Sequence, residues 1–249
     1  MSEAKDWLVR IDKGVDTDTA MVLLGHAGST PTDFYGWDQY MDTKLALYAL
    51  LLPGRNERYG ESINGDIYTL AAEVYRILSE LNYTQIVLLG VSFGGVLSYE
   101  IAKLDYINNT NIIGSVIVVA CSPLMLSHFT AIHSQHNRAA LLDLLIEKSY
   151  LENTALNHPR LIDLIFPRIM EDILCRESWI PDLSVKISCP VYPVAFDNDK
   201  LVSCDLVHSW LSCSENTISQ TYVCRGEHLG YLARSEEFKN VIEKICKSY

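Results

Sequence analysis

Apolar and polar positions along this chain follow two different periods. Residues 20–24, 45–52, 86–89, 112–120 and 191–196 are short runs rich in Val, Ile, Leu and Ala, each bounded by polar or Gly-containing stretches. Runs of this length and branched character suit parallel strands buried on both faces. Residues 7–12 alternate apolar and polar, as an edge strand does, and residues 217–224 form a last strand. Pro193 predicts an outer position for its strand, because it cannot donate to a ladder. Elsewhere the period is helical. Ile67, Leu70, Ala71, Val74, Leu78 and Leu81 mark an amphipathic helix over residues 66–82. Residues 96–104 read as a helix, and Ser235 followed by two glutamates caps and opens a terminal one. Strands alternating with helices predict an α/β architecture, a mostly parallel central sheet flanked by helices, in a single domain over residues 1–249.

Residues 121–188 break this alternation. Helical stripes cover 139–148 and 161–175, and no strong strand pattern intervenes. A helical insertion between two strands is expected to lie over a site as a lid, with Met125 and Met170 as candidates to face it. The same stripes fit ordinary core helices equally well.

Composition narrows the class. The 249 residues suffice for one α/β domain or two small ones. Seven cysteines, an odd number without a Cys-x-x-Cys pair, predict reduced thiols and a cytoplasmic protein rather than a disulfide framework or zinc site. The charged start, Met-Ser-Glu-Ala-Lys-Asp, lacks the apolar stretch of a signal peptide, and no run approaches a membrane span. A formal charge of −11 argues against nucleic acid and anionic membrane surfaces as partners.

The chemistry gathers at the ends of the predicted strands. Residues 90–94 read Gly-Val-Ser-Phe-Gly, between the run 86–89 and the helix that follows. Alone this pentapeptide also fits a Gly-rich turn with an ordinary serine. Between strand and helix, it describes a sharp turn that holds Ser92 out as a nucleophile, with the Phe93 N–H facing a developing oxyanion. The loop Gly25-His26-Ala27-Gly28-Ser29 follows an early strand, where a second oxyanion amide belongs; Ala27 N–H is the expected donor. Serine at neutral pH needs a base, and the base an acceptor that fixes its tautomer. His228 and His26 are the histidines that directly follow a strand; His128, His133, His136, His158 and His208 fall in insertion or helical stretches. His26 reads as a pocket residue, and His228 as the base. Asp197 and Asp199 compete as the acid. Asp199 is favoured because Leu201-Val202 begins a packed element that anchors the turn behind it. The turn after 112–120 carries Cys121 and Ser122 and no carboxylate. The order Ser92, Asp199, His228 is that of the α/β-hydrolase fold.

A further set of motifs resembles the type II thioesterases of nonribosomal peptide and polyketide synthesis. Residues 53–61, Pro-Gly-Arg-Asn-Glu-Arg-Tyr-Gly-Glu, resemble that family's Pro-Gly-Arg-x-x-Arg-x-x-Glu. His26-Ala27-Gly28 resembles its Pro-His-Ala-Gly loop, with Phe34 and Trp37 at Phe-x-x-Trp spacing. Met170-Glu171-Asp172 lies where the family has Arg-Ala-Asp. Asp199 to Val202 resembles Asp-x-x-Val, and Gly226-Glu227-His228 resembles Gly-Gly-His. Val91, Gly25 and Glu227 replace the family's usual His, Pro and Gly, and Asp199 lacks the customary preceding glycine.

The resemblance implies hydrolysis of acyl thioesters on the phosphopantetheine arm of acyl or peptidyl carrier protein domains, with no metal or redox cofactor. It implies clearance of stalled or aberrant groups by a free-standing monomer. Rival readings on the same fold are a carboxylesterase, an acyl-CoA thioesterase and a tethered cyclising thioesterase. A non-catalytic scaffold that only binds acyl carriers is disfavoured by the intact Ser–Asp–His order.

Overall fold

The apolar runs pair into one twisted sheet because each is buried on both faces and can satisfy its backbone only through neighbouring strands. The computed structural model describes residues 4–41, 44–124, 138–147, 157–182, 184–216 and 220–247. Met125, His128, His133, His136 and positions 217–219 of the expected last strand lie outside them. In chain order the elements are α1 (Ala4–Trp7), β1 (Leu8–Arg10), β2 (Thr19–Leu24), α2 (Trp37–Tyr40), β3 (Ala46–Leu50), α3 (Ile67–Ser79), β4 (Gln85–Val91) and α4 (Phe93–Asn108). There follow β5 (Ile113–Val119), α5 (Arg138–Glu147), α6 (Pro159–Glu177), β6 (Val191–Phe196), α7 (Cys204–His208), β7 (Tyr222–Cys224) and α8 (Glu236–Cys246).

The seven strands run in the order β1-β3-β2-β4-β5-β6-β7. Among the strands of the described residues only β1 is antiparallel, with Leu8 opposite Leu50 at one edge. Alternate residues feed two cores. Val22, Leu24, Leu88, Val116 and Val118 pack under α3, α4 and α6, while Met21, Leu23, Val87, Leu89, Ile117 and Val119 pack against α8. Asp66 caps α3 by accepting the Thr69 N–H at 2.8 Å, and Ser235 caps α8 by accepting that of Phe238 at 3.2 Å.

The strand carrying Pro193 is not the outer one. β6 pairs with β5 on one side and β7 on the other. Val194 and Pro190 accept from Ala120 and Val116 of the β5 side, so the odd-numbered residues of β6, Pro193 among them, turn toward β7. The β7 ladder begins only at Val194, so the missing donor falls ahead of the first pair.

Among the described residues of 121–188 there are two helices and no strand. α6 packs against α4 and is bonded to the loop after β3. Arg168 donates to Tyr59 O at 2.8 Å, and Glu171 accepts the Ile63 N–H at 2.8 Å. Met170 is partly buried against the core on that side of the sheet.

Candidate active site

β4 delivers Ser92 to the sheet's C-terminal edge, and the chain turns there so sharply that Ser92 adopts φ 52°, ψ −109°. That is a sparsely populated backbone region, tolerated because both sides of the turn are held. The Ser92 N–H donates to Val119 O at 2.9 Å, and the Gly94 N–H to Gly25 O at 3.1 Å. A side chain at Gly94 would run into the Leu24 and Gly25 carbonyls, so glycine is what lets α4 start this close to β2. The Gly94 amide is thus occupied. The Phe93 N–H, an orphan amide of the first helical turn, has no acceptor among the described residues.

The turns after β6 and β7 are laced to each other. The Asn198 N–H donates to Gly226 O at 2.9 Å, and the Gly226 N–H to Asp197 Oδ1 at 3.0 Å. Asp199 Oδ1 accepts the Leu201 and Val202 amides at 2.8 and 2.9 Å, which aims Oδ2 at His228 Nδ1, 2.8 Å away. His228 Nε2 lies 2.9 Å from Ser92 Oγ. With a carboxylate at Nδ1, the bonding assigns the ring proton there and leaves Nε2 as acceptor for the serine hydroxyl. The imidazole and carboxylate side chains are 1% and 0% exposed. Ser92, Asp199 and His228 therefore meet, while Asp197 caps the histidine's turn instead.

Ala27 and Gly28 are the central residues of a turn closed by Ser29 N–H to His26 O at 3.0 Å, with Gly28 at φ 83°. His26 O and Ala27 N–H share one trans peptide. The closing bond therefore directs the Ala27 N–H away from the turn. His26 Nδ1 sits 2.7 Å from the Tyr231 hydroxyl. Burial, with the nearby His228 and Arg55, depresses the His26 pKa to about 3, so this imidazole is neutral.

That shift gives a signed expectation. Below its ordinary pKa of 6.5, the unfolded chain takes up a proton at His26 that the folded chain refuses. The stabilisation is fully present above that pH and is lost as pH falls toward about 3. His26→Gln should consequently lose less stability than the wild type between about pH 7 and 4.5. Urea midpoints at the two pH values read the difference, and equal shifts in both proteins would refute the neutral ring.

The remaining signature residues divide their work. Arg58 lies over the Trp7 ring, 4.0 Å from its centroid, donates to Leu51 O at 3.1 Å and pairs with Glu61 at 2.6 Å, pinning the loop to the sheet edge. Arg55 pairs with Asp172 of α6, both side chains almost wholly buried. Asp172 Oδ2 also accepts the Gly28 N–H at 2.6 Å. Burial pushes the Asp172 carboxyl upward, and the Arg55 guanidinium pulls against it. Both residues fall inside separate sequence motifs. Nothing in the chain announced that positions 117 apart would pair.

Comparison with known proteins identifies the family. A family model described as "Thioesterase domain" matches residues 19–249. AMB antimetabolite synthetase AmbE of Pseudomonas aeruginosa is 24% identical over 191 residues, 76% of this chain. The chain spans only 9% of AmbE's length. Thioesterase PikA5 of Streptomyces venezuelae is 22% identical over 206 residues, covering 82% of this chain and 73% of PikA5. Among solved structures YbtT, described as a type II thioesterase from the yersiniabactin NRPS/PKS pathway, shares the fold with a TM-score of 0.81. It is 18% identical, over 96% of this chain and 97% of YbtT.

Proposed function

The chain belongs to the thioesterase-domain family, and from that premise we propose that it hydrolyses acyl thioesters carried on the phosphopantetheine arm of acyl or peptidyl carrier domains. The observation that carries this reading is the hydrogen-bonded line from Ser92 Oγ through His228 to Asp199. His228 takes the serine proton as Oγ attacks the thioester carbonyl. The oxygen, now anionic, lies between the Ala27 and Phe93 amides. Collapse of the tetrahedral species breaks the C–S bond, and the departing thiol takes its proton from His228. Water deprotonated by His228 then attacks the acyl-serine, releasing the acid and restoring Ser92. Asp199 holds the imidazole and stabilises its charged form throughout. No step calls for a metal or redox cofactor.

The biological role we propose is editing, in trans, of stalled or aberrant groups on nonribosomal peptide or polyketide assembly lines. The likeness to PikA5 and YbtT supports it, as do the motifs at residues 53–61 and 226–228. We take the protein to be a cytoplasmic monomer, in keeping with seven free cysteines, and its 121–188 segment to be the lid. Among the described residues no helix is long and apolar enough to cross a membrane. A net charge of −11 would repel an acidic carrier domain, so docking rests on apolar contacts and a few arginines and is weak and transient.

The test offers one acyl group on a carrier domain and on coenzyme A. Faster hydrolysis from the carrier, by kcat/KM, is expected. A clear preference for coenzyme A would assign the enzyme to acyl-CoA metabolism instead.

A further inference from the structure

The Ala27 turn is clamped from outside its own loop, and the clamp belongs to the helical insertion. Asp172 is on α6, more than a hundred residues from the turn, and its side chain is 0% exposed. Its Oδ2 takes the Gly28 N–H at 2.6 Å and meets the Arg55 guanidinium. Arg55 in turn donates to Ser29 O at 3.2 Å and to Pro53 O at 2.7 Å. One carboxylate and one guanidinium thus hold successive polar groups of the turn, a donor at Gly28 and an acceptor at Ser29. Ile169, one helical turn before Asp172, occupies the space that a side chain on Gly28 would need.

The held peptide adjoins the one that carries the expected donor. With Gly28 at φ 83°, the turn has the type II signature, which differs from type I by a flip of the central Ala27–Gly28 peptide. That peptide's N–H is the group Asp172 accepts. A flip would withdraw a buried donor from a buried carboxylate, at the cost of an unpaired polar group on each side. The expected oxyanion donor, Ala27 N–H, lies on the preceding His26–Ala27 peptide, whose direction is set by the closing bond from Ser29; what the Gly28 and Ser29 contacts set for it is where the turn sits relative to Ser92.

We infer that Asp172 is a positioning residue for the oxyanion site: by accepting the Gly28 N–H it anchors the turn on which the Ala27 amide stands, and so makes the reactivity of Ser92 depend on where α6 sits. The inference rests on the reading of Ala27 as an oxyanion donor. Arg55 keeps the carboxylate in place and compensates its charge; removing Asp172 alone strands a buried guanidinium and endangers the fold.

The test accordingly removes the charges together. Arg55→Met/Asp172→Asn keeps an oxygen acceptor for Gly28, and Arg55→Met/Asp172→Leu has a side chain of similar size with no acceptor. Both are treated with a fluorophosphonate, whose attack by Ser92 develops charge at the same oxyanion position as acyl transfer. End-point labelling counts folded sites, and the second-order labelling rate reads oxyanion stabilisation. The leucine double variant is expected to reach the same end point as the asparagine one, at a rate lower by about tenfold or more, a fraction of what loss of a direct oxyanion donor costs. Should leucine not be accommodated, Arg55→Met/Asp172→Ala takes its place in the comparison. Equal rates for the variants with and without the acceptor overturn the inference. Because labelling needs no thioester, a wild type that labels but leaves acyl-carrier thioesters intact overturns the functional reading alone, and the comparison of labelling rates still decides the role of Asp172.

Discussion

Replacing Ser92 by Ala is expected to lower kcat by on the order of 10⁶-fold while the protein stays folded. The loss is large because Oγ is the attacking atom and the described geometry offers no substitute. His228 Nε2 faces Ser92 Oγ at 2.9 Å, and Asp199 is turned toward the other ring nitrogen. What remains after the change is binding and the proposed oxyanion amides of Ala27 and Phe93, with no nucleophile to generate the charge they would stabilise. The fold survives because the turn is held by backbone, through Ser92 N–H to Val119 O and Gly94 N–H to Gly25 O. Alanine keeps the strain of φ 52°, whereas Ser92→Gly relieves it. The glycine variant should therefore melt higher than the alanine variant, with both inactive. Turnover of Ser92→Ala within about tenfold of the wild type would remove Ser92 from the mechanism.

Asp199→Asn should cost about 10⁴-fold in kcat, and Asp197→Asn about tenfold at most. In the first variant the turn persists, since the amide oxygen can take over the Leu201 and Val202 N–H groups. The amide nitrogen then faces His228 Nδ1, favours the wrong tautomer and offers no charge to the imidazolium. Asp197, by contrast, accepts only the Gly226 N–H at 3.0 Å among the described residues, a bond that an asparagine oxygen can also make. Single-turnover rates on one acyl thioester, with melting temperatures alongside, compare the two directly. The reverse ranking would mean that the acid is Asp197 and that the observed His228–Asp199 bond is not the working one.

Parts of this site were legible from the chain because their signals are local. Ser92 stands where a strand period meets a helix period, and His228 and Asp199 stand just after apolar runs. Periodicity reports which face of an element is buried, and the place where the period changes reports the sheet edge. The α/β layering, the cap at Ser235 and the order serine, aspartate, histidine follow from such short-range information.

Other features depend on what the chain meets in space. Asp197 and Asp199 are two residues apart with similar neighbours. Only the lacing of two turns, one after β6 and one after β7, aims one at a ring and the other at an amide. Pro193 forbids a donor at one place in a ladder, but whether that place is empty depends on where the neighbouring strand starts; here β7 starts one residue late. Arg55, Asp172 and Gly28 come from three segments and form one buried cluster. Each looks unremarkable alone, because a charged side chain is tolerated in the interior only by its partners, and periodicity carries no record of partners. The sequence by itself determined the layers, the sheet edge and the residues with chemistry to offer. The tertiary structure alone decided which carboxylate faces the imidazole and which holds the turn at Ala27 and Gly28. Burial follows from composition along one element, whereas hydrogen-bond pairing requires the relative position of several.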